Sequence, residues 1–585
     1  MGDALNFKRP CCKVPLNFRR YLAMFLILVL LSGSIIGCGN KTQADSTENS
    51  QVQESDVPES VSDEGSSVEA PSEGASEESI NDDISDDSDF EPAADLYCAK
   101  GGDILLTEDD ANVTVNYRYD ELILGENEAS KYPELDKALK AYFKDNAIKV
   151  KDAADEAQKF VTEIILPELK DDDYYYESLP YRIDYDISVR RFDDQVFSFI
   201  SDHEEWMPMG GEEYNVIVHN YSPATGEEIS FSDVVKDVDA FADILADHMI
   251  MDVEYPYYVG DVANYHESVK ESIVSLAEEG DISFTIDYQG VTIYFPVYTL
   301  LGWNTAGSVI FAEDKNGTIF DKKWATSKEN WISYLPLGYV LGFDKEDDGT
   351  ADLLGIYAPN NENGEEVNVT LALNGENQSF EYDYSYDMEP ILVHCDGETY
   401  LLLRYYKFEN GFLDVFRITD EGARKIDSSS LEFGDGSMVV EGEEYNIYPQ
   451  RLYTCHKDFP METRTDMLST GWAYGFFTFE KGKFVNKDGY LTIETSDDSD
   501  FVLTLLKDVK DAPVVDGASH EETGEKTDLT EKQTLKLMYT DNETYVDCLT
   551  KDGILVRVYV TDDEGYRSAF GYDISELFDG MFYAG

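Results

Sequence analysis

Positive charge is scarce in this sequence. Its 585 residues include 45 Lys and Arg against 120 Asp and Glu, a formal net charge of −75 at pH 7. A surface of that sign repels phosphate backbones, so nucleic acid is excluded as an expected partner. Cationic proteins, metal ions and basic cell-wall material are attracted instead.

Cysteine is also sparse, with seven in the whole chain. Cys11 and Cys12 precede Cys38 near the amino terminus. A disulfide-dense scaffold is excluded for so long a chain, although the four later cysteines allow three pairings: Cys98, Cys395, Cys455 and Cys548. The adjacent pairs His394-Cys395 and Cys455-His456 do not predict zinc, because neighbours in a strand point to opposite faces.

Motifs for nucleophilic, metalloprotease and nucleotide chemistry are absent. No Gly-x-Ser-x-Gly, His-Glu-x-x-His or Gly-x-x-x-x-Gly-Lys-Ser/Thr pattern occurs. Seven histidines are present, and we expect each to be a surface or core residue. Carboxylate pairs are so frequent that they do not identify a general acid and base. We therefore expect a protein that is not an enzyme.

The amino-terminal residues have the organisation of a secretion signal. Basic residues occupy positions 8–20, and positions 21–31 are almost wholly apolar, as in the n-region and h-region of a signal peptide. The stretch up to Ile36 has about 16 suitable residues, fewer than the roughly 20 that span a bilayer. The alternatives are a plain transmembrane anchor and cleavage without lipid.

The segment Ser34-Ile35-Ile36-Gly37-Cys38 directly follows the apolar stretch. It resembles the bacterial lipobox, although Ile35 stands where Leu is commoner. The resemblance implies cleavage before Cys38 and a diacylglycerol on its thiol, and two acyl chains meet the requirement for stable anchoring. We expect a lipoprotein attached to the cell membrane through Cys38, with residues 1–38 as its signal peptide and lipobox and the protein facing the extracytoplasmic side.

Residues 39–95 are expected to form a disordered, acidic, serine-rich tether. They contain 18 Asp and Glu, 12 Ser and a single Lys, with few bulky residues. Such a segment buries too little apolar surface to offset the entropy of the chain.

Residues 1–37 carry five Lys and Arg and one Asp, a net charge of +4, so the rest of the chain carries −75 − 4 = −79.

Residues 96–322 are predicted to form an α+β domain, an antiparallel sheet with helices on one side. Apolar and polar residues alternate over 181–190 and 282–288, as in strands with one wet face. Two helices are indicated by apolar residues three or four apart: Ala153, Ala157, Phe160, Val161, Ile164 and Ile165 in one, and Val238, Phe241, Ala242, Leu245 and Met249 in the other.

Short motifs in this region resemble the extracytoplasmic domain shared by RsiV-type anti-sigma factors and PdaC-type peptidoglycan deacetylases. In order, they are Tyr132-Pro133-Glu134-Leu135, Gly210-Gly211, a turn at Thr225-Gly226-Glu227, and the closing segments 296–300 and Ala306-Gly307. The resemblance covers roughly 180 residues. The RsiV branch implies recognition of lysozyme, and the deacetylase branch implies a separate catalytic domain, which we do not recognise in this sequence. Glu212-Glu213 stand where the family has Ala-His, so no binding residue is transferred.

Residues 325–585 are predicted to form a mostly β domain, a sandwich, barrel or partial propeller. Short apolar runs alternate with turns, and Asn410-Gly411 and Asp488-Gly489 are typical of tight hairpins. Residues 510–532 are polar and are predicted to form a long loop.

The segment 344–352 has the pattern of a calcium loop. Acidic residues occupy its positions 1, 3, 5 and 9, which are Asp344, Glu346, Asp348 and Asp352, and Gly349 follows at position 6. Calcium binds six to eight oxygen ligands, and a glycine lets the chain wrap around the ion. Position 12 is not Glu, and the segment instead resembles loops of integrin-type propeller repeats. The alternative is an acidic hairpin without metal.

Taken together, these patterns predict a non-catalytic binding lipoprotein of the cell envelope. Its expected ligand is a basic protein such as lysozyme, or cell-wall material, and calcium is its one candidate cofactor. Two alternatives stay open: a cell-wall hydrolase or deacetylase with an unrecognised site, and a structural surface protein.

Overall fold

The computed structural model describes residues 96–106, 114–165, 180–207, 211–250, 262–295, 305–325, 330–335, 337–338, 340–345, 348–358, 367–382, 385–407, 410–433, 436–440, 443–447, 456–457, 459–493, 502–563 and 566–583. The predicted signal peptide and lipobox at 1–38, with Cys38, and the predicted tether at 39–95 lie outside these residues. The segment 296–300, Glu346 and Cys455 also lie outside them.

The first sheet has five strands in chain order, β1 to β5. Their bounds are Leu96–Leu106, Thr114–Leu124, Pro180–Phe192, Phe197–Met207 and Gly211–Tyr221. Neighbouring strands are antiparallel except β2 and β3, which are parallel. A parallel pair requires a crossover connection, and the segment between these two strands contains a long helix. The predicted α+β fold is thus confirmed, with this one exception to the antiparallel pairing.

The crossover contains helix α1, Glu126–Lys131, and helix α2, Pro133–Phe160, which continues as a π-helical turn at Val161–Ile165. The side of α2 that packs on the sheet carries residues three or four apart: Leu135, Leu139, Phe143, Asn146, Val150, Ala154, Ala157 and, in the π turn, Val161. The prediction of a helix here is confirmed, and Ala157 and Val161 are buried. Phe160 was assigned to the wrong side, since it is 37% exposed.

Residues that follow the first sheet form a second layer. Helices α3, α4 and α5 span Phe231–Val234, Val238–Ile250 and Val262–Glu279, and they precede an antiparallel sheet of β6, β7 and β8 at Ser283–Ile286, Gly290–Phe295 and Thr305–Ile310. Short 3-10 turns follow at Phe311–Glu313 and Lys322–Trp324. On α4, the predicted residues Phe241, Ala242 and Leu245 are buried, and Val238 and Met249 pack partly buried against them.

The remaining chain is β-rich, as predicted. One sheet contains β10 to β13, and a second has the order β17-β16-β15-β14-β9. The bounds of β9 to β17 are Trp331–Tyr334, Val340–Phe343, Asp352–Tyr357, Val367–Leu373, Glu376–Tyr382, Ser385–Cys395, Glu398–Lys407, Asn410–Thr419 and Gly422–Ser429. Asn410-Gly411 begins β16 and therefore does not form the predicted turn, whereas Gly489 has φ 74° in a bend.

The carboxy-terminal strands form a larger open sheet and a two-stranded sheet of β19 and β20. The bounds of β18 to β33 are Glu432–Phe433, Gly436–Val440, Glu443–Ile447, Phe459–Thr465, Gly471–Glu480, Lys483–Asn486, Leu491–Ile493, Val502–Leu505, Val509–Val515, Glu522–Leu529, Thr534–Thr540, Tyr545–Thr550, Leu555–Asp563, Tyr566–Ala569, Tyr572–Asp573 and Phe578–Asp579, with helix α6 at Ile574–Leu577. The loop predicted at 510–532 is wrong, because β26 and β27 pair there as a hairpin.

The turn after β5 packs against the start of α2. Gly226 has φ 66°, and a Cβ atom at this position would lie 2.3 Å from the carbonyl oxygen of Glu134. Both the backbone conformation and the close approach require glycine. Two of the motifs that carried the family resemblance, at 132–135 and 225–227, are therefore neighbours in the fold.

Candidate functional site

The predicted calcium loop joins β10 to β11. The two Asp344 carboxylate oxygens accept hydrogen bonds from the amides of Asp348 and Gly349 at 3.0 and 2.8 Å, and the Asp348 carboxylate accepts one from the amide of Thr350 at 2.8 Å. These hydrogen bonds stabilise the turn, as aspartate side chains do in many loops. Glu346 lies outside the described residues.

The fourth predicted ligand, Asp352, stands at the first position of β11. Its carboxylate accepts from the Lys345 amide at 3.2 Å and from the Asn374 side chain at 2.8 Å. The Lys345 ammonium lies 4.0 Å from Asp352 and also pairs with Asp420. Within the described ranges, no group of three His, Cys, Asp or Glu side chains is arranged to hold a metal. Calcium binding stays a prediction.

We expect calcium at ten times its dissociation constant to stabilise the protein by about 1.4 kcal/mol if the loop binds it. This would appear as a rise in melting temperature that magnesium does not reproduce. The rise should be lost in Asp348→Ala and kept in Asp552→Asn, which removes an exposed carboxylate elsewhere. Identical melting curves in calcium and in chelator would leave the acidic hairpin as the correct interpretation.

The described cysteines are free and buried. They are Cys98, Cys395 and Cys548. Burial, with smaller contributions from the nearby Asp396 and Glu398, raises the pKa of Cys395 to about 12. The neighbouring His394 lies 2.9 Å from the Thr399 hydroxyl and stacks on Trp331. Cys395 is thus a protonated core thiol, which is a poor nucleophile and a poor metal ligand.

A layer of polar side chains divides the core between helix α2 and the first sheet. On one side lies a cluster around Phe143 and Phe199, and on the other a cluster around Val150 and Ile183. We call the side chains between them the polar layer: Tyr142, Asn146, Tyr185, Ser201, His203 and His219. Because buried polar groups are costly unless they are hydrogen-bonded, each side chain of such a layer is expected to have a hydrogen-bond partner.

The centre of the polar layer is a serine and a histidine two residues apart on β4. The Ser201 oxygen lies 2.9 Å from Nε2 of His203, the His203 ring stacks on Tyr185 with centroids 3.5 Å apart, and Ser201 also bonds the hydroxyl of Tyr142. Burial, with smaller contributions from the nearby His219 and Lys149, lowers the pKa of His203 to about 4. Burial also raises the pKa of Tyr142 to about 12.

The edge of the polar layer reaches β5. Nδ1 of His219 lies 2.8 Å from a carboxylate oxygen of Glu228, and this hydrogen bond lowers the Glu228 pKa. Among the described residues, neither Nε2 of His219 nor Nδ2 of Asn146 has a hydrogen-bond partner, and both atoms are buried. No sequence motif marks this layer; its one visible sign in the sequence is that Ser201 and His203 continue the alternation of Phe197 and Phe199 with polar residues.

The polar layer contains the atoms of a nucleophile and a base, but a substrate has no access to them. A serine beside a histidine is the basic arrangement of hydrolytic nucleophiles. Ser201, however, has no exposed surface, so a wall polymer would not reach its hydroxyl in this conformation. The layer is better described as a structural hydrogen-bonding network.

The opposite face of the same sheet carries an array of carboxylates. Asp184 is paired in register with Glu204, and Asp186 with Asp202, across β3 and β4. We call these four residues the carboxylate array. Like charges directly opposite each other destabilise a sheet. Arg118 at 3.0 Å and Arg182 form ion pairs with Asp184, the most buried of the four, and Arg182 also lies 3.6 Å from Glu204.

Two further glutamates lie on the neighbouring strand β5. Glu212 and Glu213, which replace the family's Ala-His, pair in register with Trp206 and Glu205, and their side chains lie outside the described set. Asp186, Asp202 and Glu204 are each half-buried. This surface combines several carboxylates with a rigid sheet, which suits it to bind guanidinium and ammonium groups.

Comparisons with known proteins find solved structures of low similarity, among them two members of one family. Neither a protein-family model nor a curated protein sequence matches the chain. A DUF3298 family member from Bacteroides fragilis is 13% identical and has a TM-score of 0.29, with 39% of this chain and 94% of that chain covered. A DUF3298 family protein from Pseudomonas aeruginosa is 12% identical with a TM-score of 0.24, and 40% and 98% are covered. Both TM-scores are too low to infer a shared fold.

No helix in the described part of the chain combines the length and the apolar character that crossing a bilayer requires.

Proposed function

We propose that this chain is an extracytoplasmic lipoprotein that binds a basic ligand, such as a lysozyme-like protein, without transforming it. The observation that carries the proposal is the carboxylate array, in which Asp184 opposes Glu204 and Asp186 opposes Asp202 on adjacent strands. Arg182 already pairs with both members of the first pair, so a cationic partner would act chiefly on the repulsion between Asp186 and Asp202.

The net negative charge of the whole chain supports the same proposal. The −79 that follows residue 37 attracts a basic protein over a distance set by ionic strength. The resemblance to RsiV-type domains implies lysozyme as one such ligand. Acylation of Cys38 would hold the protein at the extracytoplasmic face of the membrane, where a secreted or wall-bound ligand is met.

Calorimetric titration of the full-length protein, purified in detergent, with lysozyme tests this proposal. We expect heat of binding at low salt and a dissociation constant that rises at least tenfold between 50 and 500 mM salt, because screening weakens charge attraction. The double variant Asp186→Asn/Asp202→Asn should weaken binding about tenfold, equivalent to about 1.4 kcal/mol.

The matched control is Glu525→Gln/Asp552→Asn, which changes the net charge by the same amount at exposed positions far along the chain. This control should bind nearly as the wild type does. If both double variants weaken binding equally, net charge rather than the array attracts the ligand. Absence of heat at low salt would contradict the proposed ligand altogether.

A further inference from the structure

The carboxy-terminal part of helix α4 packs directly on strand β8. A Cβ atom at Gly307 of β8 would lie 2.7 Å from Cδ1 of Leu245 and 3.0 Å from Cγ of Met249. Glycine is therefore required at this position, since a larger residue would push the helix away from the strand. Polar groups between a helix and a strand at such close range are shielded from water, so they depend on one another for hydrogen bonds.

His248 is a polar group at this contact, and it is 8% exposed. Its Nδ1 lies 2.7 Å from the carbonyl oxygen of Ser308 on β8, and its Nε2 lies 2.9 Å from Oε1 of Glu313 in the following 3-10 turn. A carbonyl oxygen only accepts, so Nδ1 carries a hydrogen. The other oxygen of Glu313 accepts from the Ile310 amide at 3.1 Å, which favours the ionised carboxylate. The contact between Nε2 and Oε1 therefore needs a proton as well, and the ring that satisfies both contacts is the imidazolium.

The groups around His248 favour the protonated ring. Burial on its own lowers the pKa of His248, whereas the hydrogen bond and the charge of Glu313 raise it. The Ser308 carbonyl and the Asp247 carboxylate act in the same direction as Glu313, and the resulting pKa lies above the ordinary value. Asp247 belongs to α4 and lies 3.2 Å from Nε2 of His266 on α5. His248 is also in the last turn of α4, where the helix dipole favours a positive charge.

We propose that His248 and Glu313 form a pH-sensitive clamp that holds the last turn of α4 on β8. When the proton between Nε2 and Oε1 is lost, a charge-assisted hydrogen bond disappears and the Nε2 lone pair faces a carboxylate. The stability that the clamp contributes is therefore complete below the ordinary histidine pKa of 6.5, and it is lost as the pH rises through the higher pKa of the folded protein. The clamp is separate from the carboxylate array, so this proposal does not depend on the binding of a basic ligand.

Hydrogen exchange of the full-length protein in detergent, followed by mass spectrometry, tests the proposal. Each rate is corrected for the pH dependence of exchange in an unfolded peptide, which leaves the equilibrium between closed and open states. We expect the opening of α4 to rise about tenfold between pH 6 and pH 8.5, the effect of losing one charge-assisted hydrogen bond. Helix α2 is the internal reference and should show no such rise. Equal changes in the two helices, or no change in α4, would overturn the proposal.

Two substitutions assign the effect to the clamp. His248→Gln removes the titrating ring, so the opening of α4 should be the same at both pH values. The matched control His266→Gln changes a histidine on the adjacent helix and should keep the rise of the wild type. If His248→Gln does not fold, Glu313→Gln replaces it, because an amide can donate to the neutral ring and the contact then needs no added proton. A tenfold rise that persists in a folded variant of either clamp residue would contradict the proposal.

Discussion

Replacing Arg191 with Leu is expected to lower the free energy of unfolding by about 3–5 kcal/mol. The Arg191 side chain has no exposed surface; it donates to the Asp193 carboxylate at 2.8 Å and to the carbonyl oxygens of Asp287 and Trp324 at 3.1 and 2.7 Å. Removal of the guanidinium leaves one carboxylate and two carbonyl groups without this donor, and each loss costs free energy. Urea unfolding followed by tryptophan fluorescence measures the change.

Arg424→Leu is the matched control for this experiment, because Arg424 is exposed on β17 and surface substitutions usually change stability by less than about 0.5 kcal/mol. Arg191→Lys should fall between the two, since it keeps the charge and loses the fork of donors. A loss in Arg191→Leu of less than about 1 kcal/mol relative to the control would show that these contacts do not hold the second layer to the first sheet.

Arg190 and Arg191 also show where sequence patterns stop being informative. Alternation over 181–190 correctly predicts strand β3, because the pattern depends on residues within one strand. The same pattern predicts a wet face that includes Ser188 and Arg190, and both are buried. Burial of Arg190 comes from Asp287 and Tyr334, about 100 and 144 residues later, and no local pattern records which distant segment covers a strand.

The loop predicted at 510–532, where β26 and β27 form a hairpin, is wrong for the opposite reason. Almost every residue of β27 from Glu522 to Asp528 is polar and exposed, so this strand has no apolar face and therefore no alternation to detect. Its pairing is carried by backbone hydrogen bonds, which every sequence offers equally. Helix α4 is the contrasting case: its apolar residues face a single core cluster, and the periodicity predicts the packed side correctly.

The carboxylate array and the polar layer also differ in how much of each can be predicted from the sequence. The carboxylate array consists of residues that sequence alone places on one face of β3, together with the partners that the register of β4 supplies. The polar layer joins Tyr142 of α2 to residues of the strands, and only the packing of the helix on the sheet brings them together. A motif search finds residues close in sequence, so it does not find this layer.

Acid is expected to weaken the fold through His203. Its pKa of about 4 lies below the ordinary value of 6.5, chiefly because burial disfavours the charged ring. Between pH 6.5 and pH 4 the unfolded chain binds a proton at this residue and the folded protein does not. The stability that His203 contributes is therefore complete above pH 6.5 and is lost as the pH falls to about 4, by about 3 kcal/mol.

The difference between wild type and His203→Gln isolates this contribution from the many carboxylates that titrate over the same range. Urea unfolding at pH 7 and pH 4.5 should show a smaller loss of stability in His203→Gln than in the wild type, while His266→Gln, on helix α5, should lose as much as the wild type. Equal pH dependence in all three proteins would mean that the His203 ring is hydrated in the folded state. A hydrated ring would imply that water enters the polar layer, and the Ser201 hydroxyl beside it would then be reachable from solvent after all.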